Sequence, residues 1–257
     1  MANSINVLDR AMEIVELLYE NKKPMGISEI SRELGEYKST VHRTLLTLKN
    51  KGYIVQNPEN EKYWLGLKFY AIGMVVGEKM DIIDIVRPYA KQLNQEFNEV
   101  VNVSMLETHE EGWPKSIVVY KEVTENNLLT VQPSIGSSSV CYCSSVGKCL
   151  LAFAKDVDCE KLKTLPIHTF TNKTIKSWDE LARQLQETRI HGYAVDHEEQ
   201  ECGLTCIGAP ILDRDGFAIA AISLSGPTRR MEDGNLEMKI RRVEETAREI
   251  SSHIKEF

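Results

Sequence analysis

The chain has 257 residues, of which 42% are hydrophobic and 27% charged, and its formal net charge is −7. This composition is typical of a soluble globular protein with a sizeable core, and no apolar run approaches the roughly 20 residues of a membrane-spanning helix. The first ten residues lack the basic and apolar regions of a secretory signal. The six cysteines are spread along the chain, unlike those of a small secreted domain. We therefore expect a cytoplasmic protein with free thiols.

The negative charge lies mainly in the C-terminal part of the chain. Residues 1–80 contain 11 Lys+Arg and 10 Asp+Glu, whereas the remaining residues contain 20 and 28. Because the local electrostatic field matters more for DNA contact than the net charge, a near-neutral N-terminal part with a basic segment can still bind DNA. The acidic balance argues only against extensive non-specific coating of nucleic acid.

Apolar residues at helical spacing predict three helices at the N-terminus, and two strands follow them. The first helix is predicted within Ile5–Tyr19, and two short helices joined by a tight turn at Gly35 are predicted within Ile27–Lys51. The composition of Tyr53–Gln56 and Lys62–Leu65 is typical of strands, and the loop between them contains a proline. Three helices and a hairpin make a winged helix.

The two short helices have the pattern of a helix-turn-helix. Ser31 supplies a small residue where the helices cross, Gly35 lies in the turn, and Val41 is an apolar residue inside the second helix. No acidic residue occurs between Lys38 and Lys51, so this helix can enter a major groove and contact base edges and phosphates. The alternative is an ordinary helical hairpin with a basic, solvated face. The predicted DNA-binding residues are Lys38, Ser39, Thr40, His42, Arg43 and Lys49.

Helical spacing continues from Leu67 to about Met80 and predicts a linker helix, which packs either on the same helix of a second copy or within its own chain. A further helix begins at Asp81, and Pro88 is expected to kink it or to start a new helix. We assign residues 1–66 to a winged helix-turn-helix domain, 67–80 to the linker helix and 81–257 to a second domain.

Beyond Asn98 the chain is predicted to contain both strands and helices, and we expect a fold of the α+β class. The stretch Gly136–Ser145, rich in serine and cysteine, is predicted to be a loop. The predicted strands are Val100–Leu106, Ser116–Tyr120, Leu204–Ala209 and Phe217–Ser225, with Leu128–Val131 as a short apolar segment. The predicted helices are Val146–Ala152, Trp178–His191 and a last one that runs from Leu236 to Ile254.

Few residues of the second domain suggest a site by themselves. Ser223 and Ser225 alternate in an apolar strand, so both hydroxyls lie on one face, where a bound carboxylate would satisfy them. The acidic stretch Asp196–Glu199 is either a solvated turn or the rim of a buried site. No pairing of nucleophile and base favours catalysis, and we expect neither enzymatic activity nor a cofactor.

The cysteines leave a choice open. Cys141, Cys143 and Cys206 could hold a zinc ion or act as a thiol redox sensor, although their spacings are not diagnostic of a zinc site. The alternative is that they are small residues that fill the core and the walls of a pocket.

The chain resembles the IclR family of bacterial transcriptional regulators over nearly its whole length. In the N-terminal part the resemblance rests on Leu8–Ala11, Lys38–Arg43 and Gly52–Tyr53, and in the C-terminal part on Gly147–Ala152, Gly192–Glu199, Gly203–Pro210 and Ala220–Pro227. It implies a winged helix-turn-helix joined by a linker helix to a GAF/profilin-like effector-binding domain. It also implies a homodimer or homotetramer, a short palindromic operator in double-stranded DNA, and a small organic-acid or sugar-acid effector.

The resemblance also implies effector-binding residues. Carried over motif by motif, these are Leu128, Val131, Ser145, Val146, Asp196, Cys206, Ser223 and Ser225. The chain departs from the family pattern at Val140-Cys141-Tyr142, where a Pro-Leu-His or Pro-Met-His tripeptide is common, and at Ser145-Val146. Both changes alter the rim of the pocket, so the effector of a relative cannot be assumed for this chain.

Overall fold

A computed structural model describes residues 6–78, 80–108, 112–123 and 133–255 of the chain. The chain divides into two compact units, Met1–Met80 and Asp81–Phe257. The first unit is a winged helix-turn-helix, as the sequence predicts. Its elements are α1 (Asn6–Asn21), α2 (Ile27–Leu34), α3 (Lys38–Asn50), β1 (Ile54–Gln56), β2 (Tyr63–Leu65) and α4 (Leu67–Gly77).

The helix-turn-helix is held by the residues that its pattern singles out. Ile30 of α2 and Val41 and Leu45 of α3 are buried in one apolar cluster with the first helix and the wing. The Ser31 hydroxyl donates a hydrogen bond of 2.6 Å to the Glu36 carbonyl, across the turn. Gly35 has φ +67°, a left-handed conformation that strains residues with a Cβ. The predicted turn is therefore confirmed.

The linker helix α4 is fixed at its start and exposed along its length. The Gly66 N–H donates a hydrogen bond of 2.7 Å to the Tyr53 carbonyl, and the rings of Tyr53 and Phe69 meet edge to face at 5.3 Å. No residue of α4 is buried, and the exposed fraction reaches 78% at Leu67 and 58% at Val75. This contiguous apolar surface is of the kind that marks an interaction site.

The second unit is built around one antiparallel sheet with the strand order β5-β4-β3-β8-β7-β6. Its strands are β3 (Val100–Glu107), β4 (Lys115–Glu122), β5 (Ser138–Val140), β6 (Ala194–His197), β7 (Leu204–Leu212) and β8 (Ala218–Pro227). Its helices are α5 (Asp81–Phe97), a 3₁₀ turn (Cys141–Cys143), α6 (Ser145–Ala152), α7 (Cys159–Leu162), α8 (Trp178–His191), α9 (Thr228–Met231) and α10 (Leu236–Lys255). The arrangement confirms the α+β class and the GAF/profilin-like fold.

The two faces of the sheet carry different side chains. On one face, alternate residues such as Val101, Ile207 and Ile222 join the large apolar cluster formed with α5 and α10. On the other face α6 packs on the sheet, and its Cys149 and Leu150 meet Ala221. The residues of β3, β7 and β8 that point to this second face include serines and an asparagine, so it is the polar face of the central strands.

Three predictions for the second unit need correction. Gly136–Ser145 is not only a loop, because β5 lies within it and pairs with β4, and the 3₁₀ turn follows. The solvated-turn interpretation of Asp196–Glu199 is wrong, because Asp196 belongs to β6 and is buried. α5 is one continuous helix with Pro88 inside it, so no new helix starts there.

Within the described residues, none of the helices has both the length and the apolar character needed to cross a bilayer.

Candidate functional sites

The outer surface of α3 presents the predicted DNA-contacting residues. Lys38, Ser39, His42, Arg43 and Lys49 are exposed, and Thr40 is half-buried. The buried face of the same helix, formed by Val41 and Leu45, packs against the rest of the first unit, the winged helix-turn-helix head. The inward residues therefore fix the helix while its polar face stays free for a partner.

The surroundings of α3 widen this polar surface. The Lys49 ammonium donates a hydrogen bond of 2.8 Å to the Gln56 side-chain oxygen, which joins the recognition-type helix to the wing. Tyr37, at the N-terminus of α3, is 82% exposed. Tyr37 was not among the residues predicted from sequence to contact DNA. The position of an aromatic residue immediately before a basic amphipathic helix could have indicated it as a candidate contact.

The polar face of the sheet lines a partly open cavity of about 210 Å³. Two rows of directly paired residues form its floor. Ser225 of β8 lies opposite Cys206 of β7, which lies opposite Asp196 of β6. In the adjacent row, Asn102 of β3 and Gly208 of β7 lie on either side of Ser223. The Ser223 and Ser225 hydroxyl oxygens are 3.3 Å apart, which confirms that they share a face.

The start of α6 closes one wall of this cavity. Ser144 caps the helix by accepting a hydrogen bond of 3.2 Å from the Gly147 N–H, and Ser145 and Val146 follow at the lining. The absence of a side chain at Gly208 permits this approach, because a Cβ there would lie 2.8 Å from the Ser145 carbonyl carbon. The cavity therefore combines strand hydroxyls with the N–H groups of a first helical turn, which have no intrahelical acceptor.

Most of the predicted effector-binding residues line this cavity. They are Ser145, Val146, Asp196, Cys206, Ser223 and Ser225. Leu128 and Val131 lie outside the described residues. The lining also contains Asn102 and Ser104, which sequence reasoning missed. The signal that could have found them is the one that selected Ser223 and Ser225, since both are polar residues at alternate positions of an apolar strand.

Asn102 and Ser104 stand out for a second reason. Both are buried, and neither Oδ1 of Asn102 nor Oγ of Ser104 has a hydrogen-bond partner within the described residues. Buried polar atoms are almost always hydrogen-bonded in folded proteins. The cavity is therefore complementary to a molecule that brings polar groups of its own.

A buried ion pair lies next to the acidic end of the cavity. Lys148 of α6 is 1% exposed and forms an ion pair with Glu199, which is 5% exposed. Both residues line a second cavity, of about 250 Å³, between α8 and β6. The Glu199 N–H donates a hydrogen bond of 2.6 Å to Asp196 Oδ1, so Asp196 and the ion pair are connected through the backbone.

The electrostatics of this cluster affect its carboxyl groups. Burial, together with the nearby Glu199 carboxylate, raises the pKa of Asp196 to about 7, although the N–H groups of Glu199 and Gln200 and the Lys148 side chain act in the opposite direction. Burial also raises the pKa of Glu199, against the lowering effect of Lys148. Two carboxyl groups and one lysine thus lie together in a buried cluster.

The cysteines do not form a metal site in the described part of the chain. No group of three His, Cys, Asp or Glu side chains among the described residues could hold a metal ion. Cys141 and Cys143 are buried in the apolar cluster beneath α8, and Cys206 lines the cavity. Burial raises the pKa of the Cys143 thiol to about 12 and that of Cys206 in the same direction. Thiol redox reactions need the thiolate, so the raised pKa values argue against a thiol sensor.

A winged helix-turn-helix in one chain with an α+β domain that contains a polar cavity defines a class, the DNA-binding transcriptional regulators with a separate ligand-binding domain. Comparison with known families gives a closer assignment. The model of the bacterial transcriptional regulator IclR C-terminal domain matches residues 74–252, and the model of the IclR helix-turn-helix domain matches residues 7–58. The chain belongs to the IclR family of transcriptional regulators, which are not enzymes.

Individual relatives agree with this assignment. The chain is 34% identical over 234 residues to the HTH-type transcriptional regulator XynR of Escherichia coli K12, with 90% of each chain covered. It is 32% identical over 253 residues to KdgR of the same organism, with 98% of this chain and 94% of the relative covered. The IclR-type regulator of Alicyclobacillus acidocaldarius has the same fold, with a TM-score of 0.82 at 20% identity and coverage of 98% and 99%.

A further solved structure is that of an IclR homologue from Microbacterium hydrocarbonoxydans in complex with 4-hydroxybenzoate. Its TM-score is 0.79 at 20% identity, and the match covers 96% of this chain and 98% of that one. At this identity the likeness shows the shared fold.

Proposed function

We propose that this regulator senses a small organic acid or sugar acid that carries at least one hydroxyl group, and that it acts in the cytoplasm as a repressor or an activator. The observation that carries the proposal is the polar cavity, with the unpartnered polar atoms of Asn102 and Ser104. Its volume of about 210 Å³ lies below the roughly 300–1,000 Å³ of sites for drug-sized ligands. A metabolite of a few carbon atoms is therefore the best fit.

The chemistry of the lining supports the class of ligand. The first turn of α6, at Ser145 and Val146, offers N–H groups and the positive end of a helix dipole, which favour an anion. The hydroxyls of Ser223 and Ser225 can donate to the same carboxylate. Oδ1 of Asn102 is an acceptor and requires a donor such as a ligand hydroxyl. The acid 4-hydroxybenzoate, bound by the homologue described above, has both groups and is a suitable probe.

The experiment for this site is a thermal-shift screen of the purified chain against a panel of acids, namely glycolate, lactate, glycerate, gluconate and 4-hydroxybenzoate. At least one acid is expected to raise the midpoint of unfolding, because a ligand that binds only the folded state stabilises it. Ser223→Ala is expected to reduce the shift and to leave DNA binding intact. Absence of a shift with every acid would contradict the proposed ligand class.

For the DNA-binding site we propose that α3 enters the major groove. Lys38, Ser39 and His42, near the N-terminus of the helix, are placed to reach base edges or phosphates, and Thr40, Arg43 and Lys49 continue the contact along the backbone. Exposure of five of these six residues and the absence of acidic residues on α3 support the proposal. The target is expected to be a short palindromic operator, read by two heads.

The test uses a duplex that the wild-type protein selects from a randomised DNA pool. Arg43→Ala and Lys38→Ala are each expected to weaken binding of this duplex at least about fivefold in a gel-shift titration. Loss of a phosphate contact is also expected to reduce the salt slope of binding by about 1. Arg214→Ala removes one exposed positive charge from the second unit and serves as the matched control. Equal affinities of Arg43→Ala, Lys38→Ala and wild type would rule out α3 as the reading helix.

We further propose that α4 and the head pair two chains into a homodimer, with a homotetramer formed through the second units. The exposed apolar residues of α4 support the first interface. A metabolite in the cavity would alter operator affinity by favouring one arrangement of the two heads, which requires different affinities for the two arrangements.

A further inference from the structure

The described lining of the cavity contains no cationic side chain. Among the described lining residues there is no lysine, arginine or histidine, and the ionisable groups are the Asp196 and Glu201 carboxyls and the Cys206 thiol. Lys121 of β4 lies opposite Asn102, but its ammonium donates a hydrogen bond of 2.9 Å to the Pro133 carbonyl and is not part of the lining. Among the described lining residues a carboxylate therefore meets carboxyl groups, hydroxyls and the first N–H groups of α6.

The charged and titratable groups near Asp196 come from several elements packed around it. Lys148 of α6 is engaged by Glu199 and does not line the cavity. The thiols of Cys143 and Cys206 stay protonated at neutral pH, because burial raises the pKa of each. Glu201 lies at the exposed rim. The Asp196 and Glu199 carboxyls thus share one buried lysine, Lys148, and of the three only Asp196 lines the cavity.

We propose that the cavity admits one small monocarboxylate by pairing its carboxylate with the protonated carboxyl of Asp196, so that each ligand is bound together with one proton. The pair is an O–H···O⁻ hydrogen bond, one of the short and strong class, and Asp196 is its donor. The inference rests on the proposed function, since it concerns the acid that the same cavity binds. It adds a specificity. The Asp196 proton, the Ser223 and Ser225 hydroxyls and the α6 N–H groups all serve one carboxylate, so a dicarboxylate is rejected because its second carboxylate has no counterpart.

The hydrogen-bonding capacity of Asp196 fits this role. Its Oδ1 accepts the Glu199 N–H at 2.6 Å, and the Gln200 N–H also hydrogen-bonds to this carboxyl. Because Asp196 lines the cavity, one carboxyl oxygen can carry a proton while the other accepts from the backbone. The free protein holds that proton on half of the molecules near pH 7, since burial raises the pKa of Asp196 to about 7. An anion beside the carboxyl raises its pKa again. Below pH 7 the site is therefore already protonated, and above pH 7 each binding event takes up a proton from solvent.

The consequence for affinity follows directly. Below about pH 7 the affinity for a monocarboxylate is independent of this group. Above it, affinity falls about tenfold for each pH unit, because one proton must be acquired per ligand. The ligand itself remains an anion throughout, since free carboxylic acids titrate near pH 4.

The test is isothermal titration calorimetry on the full chain, with the panel acid that gives the largest thermal shift, at pH 6.0, 7.5 and 8.5. Each pH is measured in two buffers of different ionisation heat, which reports the number of protons taken up. For wild type, uptake is expected to approach one proton per ligand at pH 8.5, and affinity is expected to fall about tenfold between pH 7.5 and 8.5. The dicarboxylate of the same carbon skeleton is expected to show no binding.

Asp196→Asn is the matched variant, because the amide keeps an oxygen for the Glu199 N–H and offers a permanent donor to the ligand. It is expected to take up no proton, to bind with the same affinity at all three pH values, and to exceed wild type at pH 8.5. Proton uptake by the wild type tests the inference without any variant, should Asp196→Asn fold poorly.

The outcomes separate this inference from the proposed function. Binding of a monocarboxylate to wild type without proton uptake at pH 8.5, or equal binding of the dicarboxylate, would overturn the inference alone. Failure of every panel acid to bind a protein that still binds its selected DNA would overturn the acid ligand class, and the inference with it.

Discussion

The pKa of Asp196 predicts that this residue reduces the stability of the fold at neutral pH. Its pKa rises from an ordinary 3.8 to about 7 on folding, so the unfolded chain ionises first and stability falls as pH rises through that window. The difference of about three units corresponds to about 4 kcal/mol above pH 7. Asp196→Asn removes this penalty. Relative to wild type, the variant is expected to gain roughly 2.5 kcal/mol of unfolding free energy between pH 5 and pH 8.

The assay is guanidinium denaturation at pH 5 and pH 8 and at one protein concentration, followed by fluorescence. A Trp64→Phe background removes the tryptophan of the head, so that the signal comes from Trp113 and Trp178 of the second unit. Other groups titrate equally in both proteins, and their contributions cancel in the difference. Asp156→Asn, which removes an exposed carboxylate, provides the baseline. A stability difference between Asp196→Asn and wild type that is the same at both pH values would refute the reasoning.

Three further outcomes are expected. Lys148→Met should lower the unfolding free energy of the second unit by about 3–5 kcal/mol in the same assay, because it leaves the Glu199 carboxylate buried without its cation; a cost below about 1 kcal/mol would mean that the ion pair is not buried as described. Val75→Asp places a charge on the exposed apolar surface of α4 and is expected to lower the sedimentation coefficient of the protein, whereas unchanged sedimentation would remove α4 from the dimer interface. Elemental analysis of purified protein is expected to find no stoichiometric zinc, and one zinc ion per chain would restore the metal-sensor alternative at Cys206.

The head could be predicted from sequence because its signals are local. The spacing of Ile30, Val41 and Leu45 fixes two short helices within a few turns, and Gly35 marks the only turn between them. Each of these features depends on neighbours less than about twenty residues away. The same holds for α8, whose end at His191 is set by Gly192 in a left-handed conformation with φ +77°.

The site was harder to predict, because its contacts join distant parts of the chain. Lys148 and Glu199 are 51 residues apart, and no spacing rule relates them. β6 is only four residues long and includes Asp196 and His197, so it lacks the apolar alternation of a strand and forms through its pairing with β7. The burial of Asp196 follows from that pairing. Composition alone leaves two alternatives for these residues, a solvated turn and the rim of a buried site, and the strand pairing decides between them.

Ionic strength acts very differently on the two proposed sites. In the proposed DNA complex, contacts from Lys38 and Arg43 to phosphates would release counterions, so affinity for the operator would fall steeply as the ion concentration rises. The proposed ligand contacts are hydroxyls, helix N–H groups and a shared proton in a largely buried cavity, where mobile ions screen little. Osmotic stress that concentrates the ions of the cytoplasm would therefore loosen the hold on DNA while ligand affinity stays nearly constant. The fraction of the regulator on its operator then depends on the osmotic state of the cell as well as on the metabolite.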